Sequence, residues 1–137
     1  DTVIIQHGIN DIIHPVGTEV NPFRPMSDLP TVEELIECME YYIKKGHSYG
    51  YKVYVGTLLP IEGWRTYAPF REEIRQAFNE WIRTTDLIDG CIDFDMAVRD
   101  PERPTRFLPQ YDSGDHLHPS KAGYKRMADI VPDEILK

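Results

Sequence analysis

Short apolar segments alternate along this chain with segments in which apolar residues recur every three or four positions. The apolar segments cover residues 3–5, 53–58 and 91–94. Continuous apolar runs of this length are typical of strands buried on both faces of a parallel sheet, and amphipathic helices between them cover those faces. The pattern therefore predicts an α/β fold, a three-layer sandwich with a parallel sheet flanked by helices.

Three segments carry helix signals. Thr31 stands three residues before Glu34, a capping box that predicts a helix ending at Gly46 or Gly50. A second helix begins near Pro69, and its predicted inner face consists of Phe70, Ile74, Ala77, Phe78, Trp81 and Ile82. Ser120 caps a last helix. The stretch from residue 99 to 119 holds four prolines and Gly114, so it is predicted to be a loop.

The length of 137 residues predicts a single domain spanning 1–137, since compact domains usually have roughly 100–200 residues. A formal net charge of −8 disfavours nucleic acids and anionic membranes as partners. No apolar run approaches the roughly 18 residues of a membrane helix, and signal-peptide features are absent, so no membrane span is predicted. The compartment stays open between secreted and cytoplasmic. Cys38 and Cys91 are predicted to be buried free thiols rather than a disulfide.

The first apolar strand begins at residue 2, although a strand buried on both faces normally lies between two neighbours. This position predicts that the preceding part of the domain is cut away and that residues 2–6 expose an apolar sheet edge. Because an unpaired edge is a template for another strand, we expect a homodimer formed through it.

Two polar motifs stand beside predicted elements. The first follows the first strand, and the second precedes the last helix. In the first, Gly8 allows a sharp turn and Asn10 can aim its amide N–H above the sheet, where an oxyanion would lie. An Asx turn around Asp11 explains this motif equally well. In the second, Asp115 stands three residues before His118, so its carboxylate can fix the imidazole tautomer and leave the other ring nitrogen as a general base. A polar surface loop is the alternative.

Together the Gly-Ile-Asn-Asp motif at 8–11 and the Asp-His-Leu-His-Pro motif at 115–119 resemble the SGNH (GDSL) hydrolase superfamily. The resemblance covers essentially the whole chain and is greatest to the branch of secreted esterases with acetylxylan-esterase-like or lysophospholipase-like members. It implies a flavodoxin-like fold lacking its first strands. It also implies a serine esterase that needs no metal or organic cofactor and acts on a small ester of the acetylated-sugar or lysophospholipid class.

By position, the resemblance assigns Asn10 as the oxyanion donor, His118 as the general base and Asp115 as its orienting carboxylate. Gly8 matches the motif as a shape-determining residue at the substrate. The family's Gly-Asp-Ser block and its second oxyanion-hole glycine have no counterpart here, and Ser113 is a poor substitute for the nucleophile. The isolated chain is therefore expected to be inactive, the C-terminal part of an esterase. The rival interpretation is a non-catalytic, self-associating fragment or scaffold.

Other polar and aromatic residues are ambiguous. Trp64 could contact an acyl or sugar group, but packing explains it equally well. His7 could face a substrate, although a structural role is favoured, and a metal site that combines it with Asp115, His116 and His118 lacks zinc-like spacing. No metal site is predicted.

Overall fold

The computed structural model describes residues 1–17 and 24–137. Strands and helices alternate as the sequence predicts. The strands are β1 (Thr2–Ile5), β2 (Lys52–Gly56), β3 (Gly90–Ile92), β4 (Arg99–Asp100) and β5 (Arg103–Phe107). The helices are α1 (Ile9–Ile13), α2 (Val32–Ser48), α3 (Pro69–Thr84), α4 (Phe94–Val98) and α5 (Lys121–Asp129). Single 3₁₀ turns lie at Met26–Asp28, Pro109–Tyr111 and Asp133–Leu136.

The main sheet is parallel, with strand order β1-β2-β3. Val3 is paired with Val53, and Val55 is paired with Ile5 on one side and Cys91 on the other. The central strand β2 is buried from Val53 to Gly56, as expected for a strand covered on both faces. Among the described residues, β1 has a neighbouring strand on one side only.

Helices cover both faces of this sheet. On one face, α2 and α3 pack against β2 in a core of Ile12, Leu35, Met39, Ile43, Val53, Val55, Leu58, Phe78 and Ile82. On the other face, Tyr54, Ile92 and Phe94 form a smaller core with Met127 and Ile130. These two cores make three layers, which confirms the predicted α/β sandwich.

The longer helices begin where the sequence predicts. The Thr31 hydroxyl accepts from the Glu34 backbone N–H, and the Glu34 carboxylate accepts in return from the Thr31 N–H, a complete capping box. Helix α3 has Pro69 at its first position. Ser120 caps α5 by accepting from the Gly123 N–H.

The buried face of α3 differs from the predicted apolar stripe. Phe70 and Ala77 are exposed, whereas Arg71, Arg75 and Asn79 are buried. These polar side chains are tolerated in the interior because each has hydrogen-bonding partners, which a reading by hydrophobicity alone cannot reveal.

Three further expectations were wrong. The segment 99–119 is not all loop, because β4 and β5 form an antiparallel pair stabilised by the Arg106–Asp100 ion pair. The third strand ends at Ile92, since Asp93 turns the chain by capping α4 through the Met96 N–H. Both cysteines are free, but Cys38 is exposed and Cys91 half-buried.

A buried ion network joins α3 to α4. Arg75 is fully buried and donates to Asp95, which is also fully buried and accepts from Arg83 and Arg99 as well. Glu72 pairs with Arg75 from the preceding turn of α3. Separately, none of the described helices is long and apolar enough to cross a membrane.

Candidate active site

Asn10 owes its position to the sharp turn after β1. Gly8 has φ +127°, a conformation that side-chain-bearing residues rarely adopt, and α1 begins at the next residue. Asn10 therefore lies in the first turn of a short helix at the carboxyl end of the parallel sheet. This is the edge at which ligands bind in open α/β sheets.

The turn before α5 holds the predicted histidine and its carboxylate. The Nδ1 atom of His118 lies 2.6 Å from Asp115 Oδ2. Asp115 Oδ1 accepts from the backbone N–H groups of Leu117 and His118, at 2.9 and 2.8 Å. The Ser113 hydroxyl donates to the same oxygen at 3.0 Å. With Nδ1 donating to Asp115, Nε2 of His118 carries the free lone pair of a general base.

The environment keeps Asp115 ionised. Burial opposes ionisation, but the hydrogen bonds from the His118 ring, the N–H groups of His118 and Leu117, and the Ser113 hydroxyl outweigh it. Together these donors hold the pKa of the Asp115 carboxyl well below its usual range. The carboxylate can therefore accept a hydrogen bond from the imidazole N–H over the whole neutral pH range.

Asn10 and His118 line the same cavity, which has a volume of about 190 Å³. Its remaining wall is Gln6, His7, Ile9, Leu58, Leu59, Ile61, Leu117, Pro119, Tyr124 and Met127. The structure thus brings together the two ends of the chain that the sequence motifs single out. An amide donor and an imidazole base facing one small, mostly apolar cavity can serve acyl transfer.

Gly8 and Trp64, the two predicted substrate contacts, lie elsewhere. Gly8 lines a neighbouring cavity of about 300 Å³ between α1 and α2, and His7 lines both cavities. Trp64 belongs to the loop between β2 and α3 and is half-buried, and the Arg65 guanidinium lies 4.9 Å above its ring. It lines neither cavity.

Sequence reasoning missed the residues that fix the cavity wall. Leu58 is held through its backbone: Asn79 Oδ1 accepts from its N–H at 2.7 Å, and Asn79 Nδ2 donates to its carbonyl at 2.9 Å. Arg75 donates to the same carbonyl at 3.0 Å. Asn79 and Arg75 lie one turn apart on α3, and this i, i+4 spacing of polar residues in an apolar stripe was the available signal.

Two other wall residues come from α5. Tyr124 and Met127 border the cavity from this helix. Gln6 closes the opposite side, where its side chain donates to the Thr57 carbonyl at 2.9 Å. Over residues 1–17 and 24–137, there is no cluster of three or more potential metal-ligating side chains.

Comparisons with known proteins indicate a family and a fold for this chain. A sequence model of the GDSL-like Lipase/Acylhydrolase family matches residues 1–126. No curated protein sequence matches the chain. A crystal structure of a proposed acylhydrolase from Bacteroides fragilis is similar with a TM-score of 0.71 and 19% identity, over 98% of this chain and 61% of that one.

Two further solved structures share the fold. A GDSL-like lipase from Bacteroides thetaiotaomicron gives a TM-score of 0.63 at 20% identity, over 98% of this chain and 62% of its own. A proposed lipolytic protein of the G-D-S-L family from Desulfitobacterium hafniense gives 0.61 at 23% identity, with 94% and 62% covered. The chain therefore spans less than two thirds of the length of each of these structures.

Proposed function

This chain belongs to the GDSL-like lipase/acylhydrolase family, and we propose that it supplies the general base and an oxyanion donor of a serine esterase. The observation that carries the proposal is the shared cavity of Asn10 and His118, with Asp115 bound to the far side of the imidazole. Asn10, His118 and Asp115 are the proposed catalytic residues.

The proposed reaction is acyl transfer to water through a covalent intermediate. A serine hydroxyl attacks the ester carbonyl while His118 Nε2 takes its proton, and the carbonyl oxygen becomes an oxyanion that accepts from the Asn10 amide. The C–O bond to the leaving alcohol then breaks, and His118 returns the proton to that oxygen. A water molecule then attacks the carbonyl of the acyl-enzyme. His118 takes the proton of that water and returns it to the serine oxygen as the acid leaves. Asp115 holds the imidazole in the required tautomer and stabilises the imidazolium.

We further propose that the reacting hydroxyl comes from outside these 137 residues. None of the four serines lines the cavity of Asn10 and His118, and three of them donate their hydroxyl hydrogen to other groups. Ser48 donates to the Lys45 carbonyl, Ser113 to Asp115 and Ser120 to the Gln110 carbonyl. Ser27 lies in the 3₁₀ turn Met26–Asp28. Since loss of the nucleophile costs a serine hydrolase about a millionfold in kcat, the isolated chain should be inactive.

The cavity favours a short acyl group. At about 190 Å³, it is smaller than the roughly 300–1,000 Å³ of pockets that enclose drug-sized ligands. Leu58, Leu59 and Ile61 provide an apolar wall suited to a methyl or short alkyl group. Of the two substrate classes that the sequence resemblance implies, acetylated sugars fit this volume better than lysophospholipids do.

The decisive experiment measures hydrolysis of p-nitrophenyl acetate and p-nitrophenyl palmitate, together with labelling by a fluorophosphonate probe. The 137-residue chain is tested alone and with an amino-terminal segment that carries a Gly-Asp-Ser block. We expect turnover and labelling only with the added segment, faster with acetate, and lost in His118→Ala. The matched control His47→Ala, at a histidine on the far end of α2, should retain activity.

Three results would contradict parts of this proposal. Labelling of any serine within the chain alone would refute the external nucleophile. Equal activity of His118→Ala and the unaltered protein would refute the general base. Faster hydrolysis of palmitate than acetate would refute the short acyl group.

A further inference from the structure

A second histidine–carboxylate pair stands beside the catalytic one. His116 Nδ1 lies 2.6 Å from Asp112 Oδ2, the same distance that separates His118 from Asp115. His116 does not face the cavity of Asn10 and His118. It lines a separate cavity together with the charged residues Glu62, Arg103 and Arg106.

The backbone of His116 is held in an unfavourable conformation. Its φ of +64° is the only positive value among non-glycine residues in the described part of the chain. Such a conformation is disfavoured in a side-chain-bearing residue and persists only where the surroundings enforce it. The surroundings here include a glycine: a Cβ added at Gly63 would lie 2.7 Å from His116 Cγ. The imidazole therefore packs directly on the backbone of the loop between β2 and α3.

The hydrogen bonds of the two carboxylates alternate along the turn. Asp112 Oδ1 accepts from the N–H groups of Gly114 and His116, at 2.8 and 3.1 Å. Asp115 lies between these two residues and accepts in turn from the N–H groups of Leu117 and His118. The backbone on both sides of Asp115 is thus fixed by Asp112. The direction of the Asp115 side chain, and through it the His118 ring, depends on that fixation.

The base of the turn is closed independently. The Ser113 N–H donates to the His118 carbonyl at 3.1 Å, and the Ser120 N–H donates to the Tyr111 carbonyl at 2.8 Å. These bonds keep the segment folded without contribution from His116. Removal of the His116 ring should therefore loosen the tip of the turn without unfolding it.

We propose that Asp112 and His116 form a positioning pair that fixes the Asp115–His118 hydrogen bond by bracing the turn against Gly63. The proposal rests on the proposed function in that it takes His118 as the general base. His116 touches no reacting atom in this scheme and acts only through the backbone of the turn.

The test reads the tautomer of His118 by long-range proton–nitrogen correlation spectra of the 137-residue chain. In the unaltered chain we expect a single His118 signal set with the proton on Nδ1. In His116→Asn, which tolerates the left-handed backbone but lacks the ring, we expect both tautomers or exchange broadening at His118. Asp112→Asn should act in the same direction, although its amide oxygen can still accept from the two N–H groups.

The matched control is His47→Asn, which removes another exposed histidine–carboxylate pair, with Asp89 at 2.9 Å. It should leave the His118 spectrum unchanged. An unchanged His118 spectrum in both His116→Asn and Asp112→Asn would overturn the positioning role. So would an equal change in His47→Asn, because the effect would then be a general loss of order.

The spectroscopic result does not require turnover, so it is independent of the esterase proposal. In the active, nucleophile-containing protein, His116→Asn should lower kcat by about 10- to 100-fold while KM changes little, since misplacement of a catalytic group by about 1 Å has such effects. A spectral change with no esterase activity in the unaltered protein would refute the proposed function alone. An altered KM with unchanged kcat would refute the positioning role.

Discussion

Asn10 is the proposed oxyanion donor, through its side-chain amide N–H. In the active protein, Asn10→Ala should lower kcat by about 10²- to 10³-fold with little change in KM, because the donor acts mainly in the transition state. Steady-state kinetics with p-nitrophenyl acetate measures this. Alanine is a good helix former, so α1 should remain intact. A rise in KM at constant kcat would instead place Asn10 in ground-state binding.

Asp115 makes a pH-dependent contribution to stability. Its pKa is lower in the folded than in the unfolded chain, so the folded state binds this proton less tightly. The stabilisation is therefore fully present above the unfolded pKa of about 3.9 and is lost as the pH falls below it.

The variant Asp115→Asn should consequently flatten the dependence of unfolding free energy on pH between about 5 and 2, as measured by urea unfolding at several pH values. Asp129→Asn, which removes an exposed pair with Lys125, is the control and should retain the unaltered slope. An identical slope in Asp115→Asn would show that the carboxylate is not linked to folding.

At the residue scale, the sequence predicted the polar residues that stand in recognisable motifs. Asn10, Asp115 and His118 stand in short motifs with fixed spacing. The structure brings Asn10 and His118 to one cavity, and Asp115 makes the expected contact with the His118 ring. Asn79 and Gln6 could not be predicted in the same way. Their roles depend on backbone groups of Leu58 and Thr57 that approach only after folding.

Helix α2 meets the central strand at a glycine. A Cβ added at Gly46 would lie 2.7 Å from Val53 Cγ2, and Val53 is fully buried with a short, β-branched side chain that has few rotamers. Gly46→Ala should therefore destabilise the fold by about 1–3 kcal/mol, although alanine favours helix by about 1 kcal/mol over glycine. Chemical denaturation measures the difference. Glu37→Ala, at an exposed position of the same helix, is the control, and a gain in stability from Gly46→Ala would contradict the close packing.

At the element scale, prediction succeeded where apolar residues are periodic and failed where polar groups carry the structure. Helix α2 begins at its capping box as expected. The β4–β5 pair was missed because its strands are short, polar and proline-containing, and are held by ion pairs of Arg106 with Asp100 and Arg103 with Glu62. Such pairings join residues up to 41 positions apart, which no local pattern reveals.

At the scale of the whole molecule, Asp95 connects separate elements, because it accepts hydrogen bonds from arginines of α3 and from the arginine that follows α4. Asp95→Asn would leave the fully buried Arg75 without its full countercharge. Breaking a buried pair in this way should cost roughly 3–5 kcal/mol. Thermal and urea unfolding test this, with Asp129→Asn as the exposed comparison, expected to cost less than about 1 kcal/mol. Equal effects of the two variants would contradict the importance of the network.

The side of β1 that has no neighbouring strand among the described residues is the proposed surface for self-association. Ile4 is 42% exposed on this strand, and the neighbouring groove is lined by Val3, Ile5 and Tyr42. We propose that a second copy pairs along this edge, since exposed strand edges recruit other strands. Light scattering after size exclusion should detect a dimer, and Ile4→Lys should shift it to monomer. A monomer at high concentration in the unaltered chain would argue against both the dimer and the scaffold alternative.

Asn79 and Arg75 hold Leu58 through its main chain, while its side chain packs in the buried core. Because Asn79 and Arg75 bond to the main-chain N–H and carbonyl of residue 58, substitution of neighbouring side chains should leave these hydrogen bonds intact. Substitution of Leu59, which borders the cavity, should therefore reshape the cavity wall while the hydrogen bonds that hold its neighbour persist.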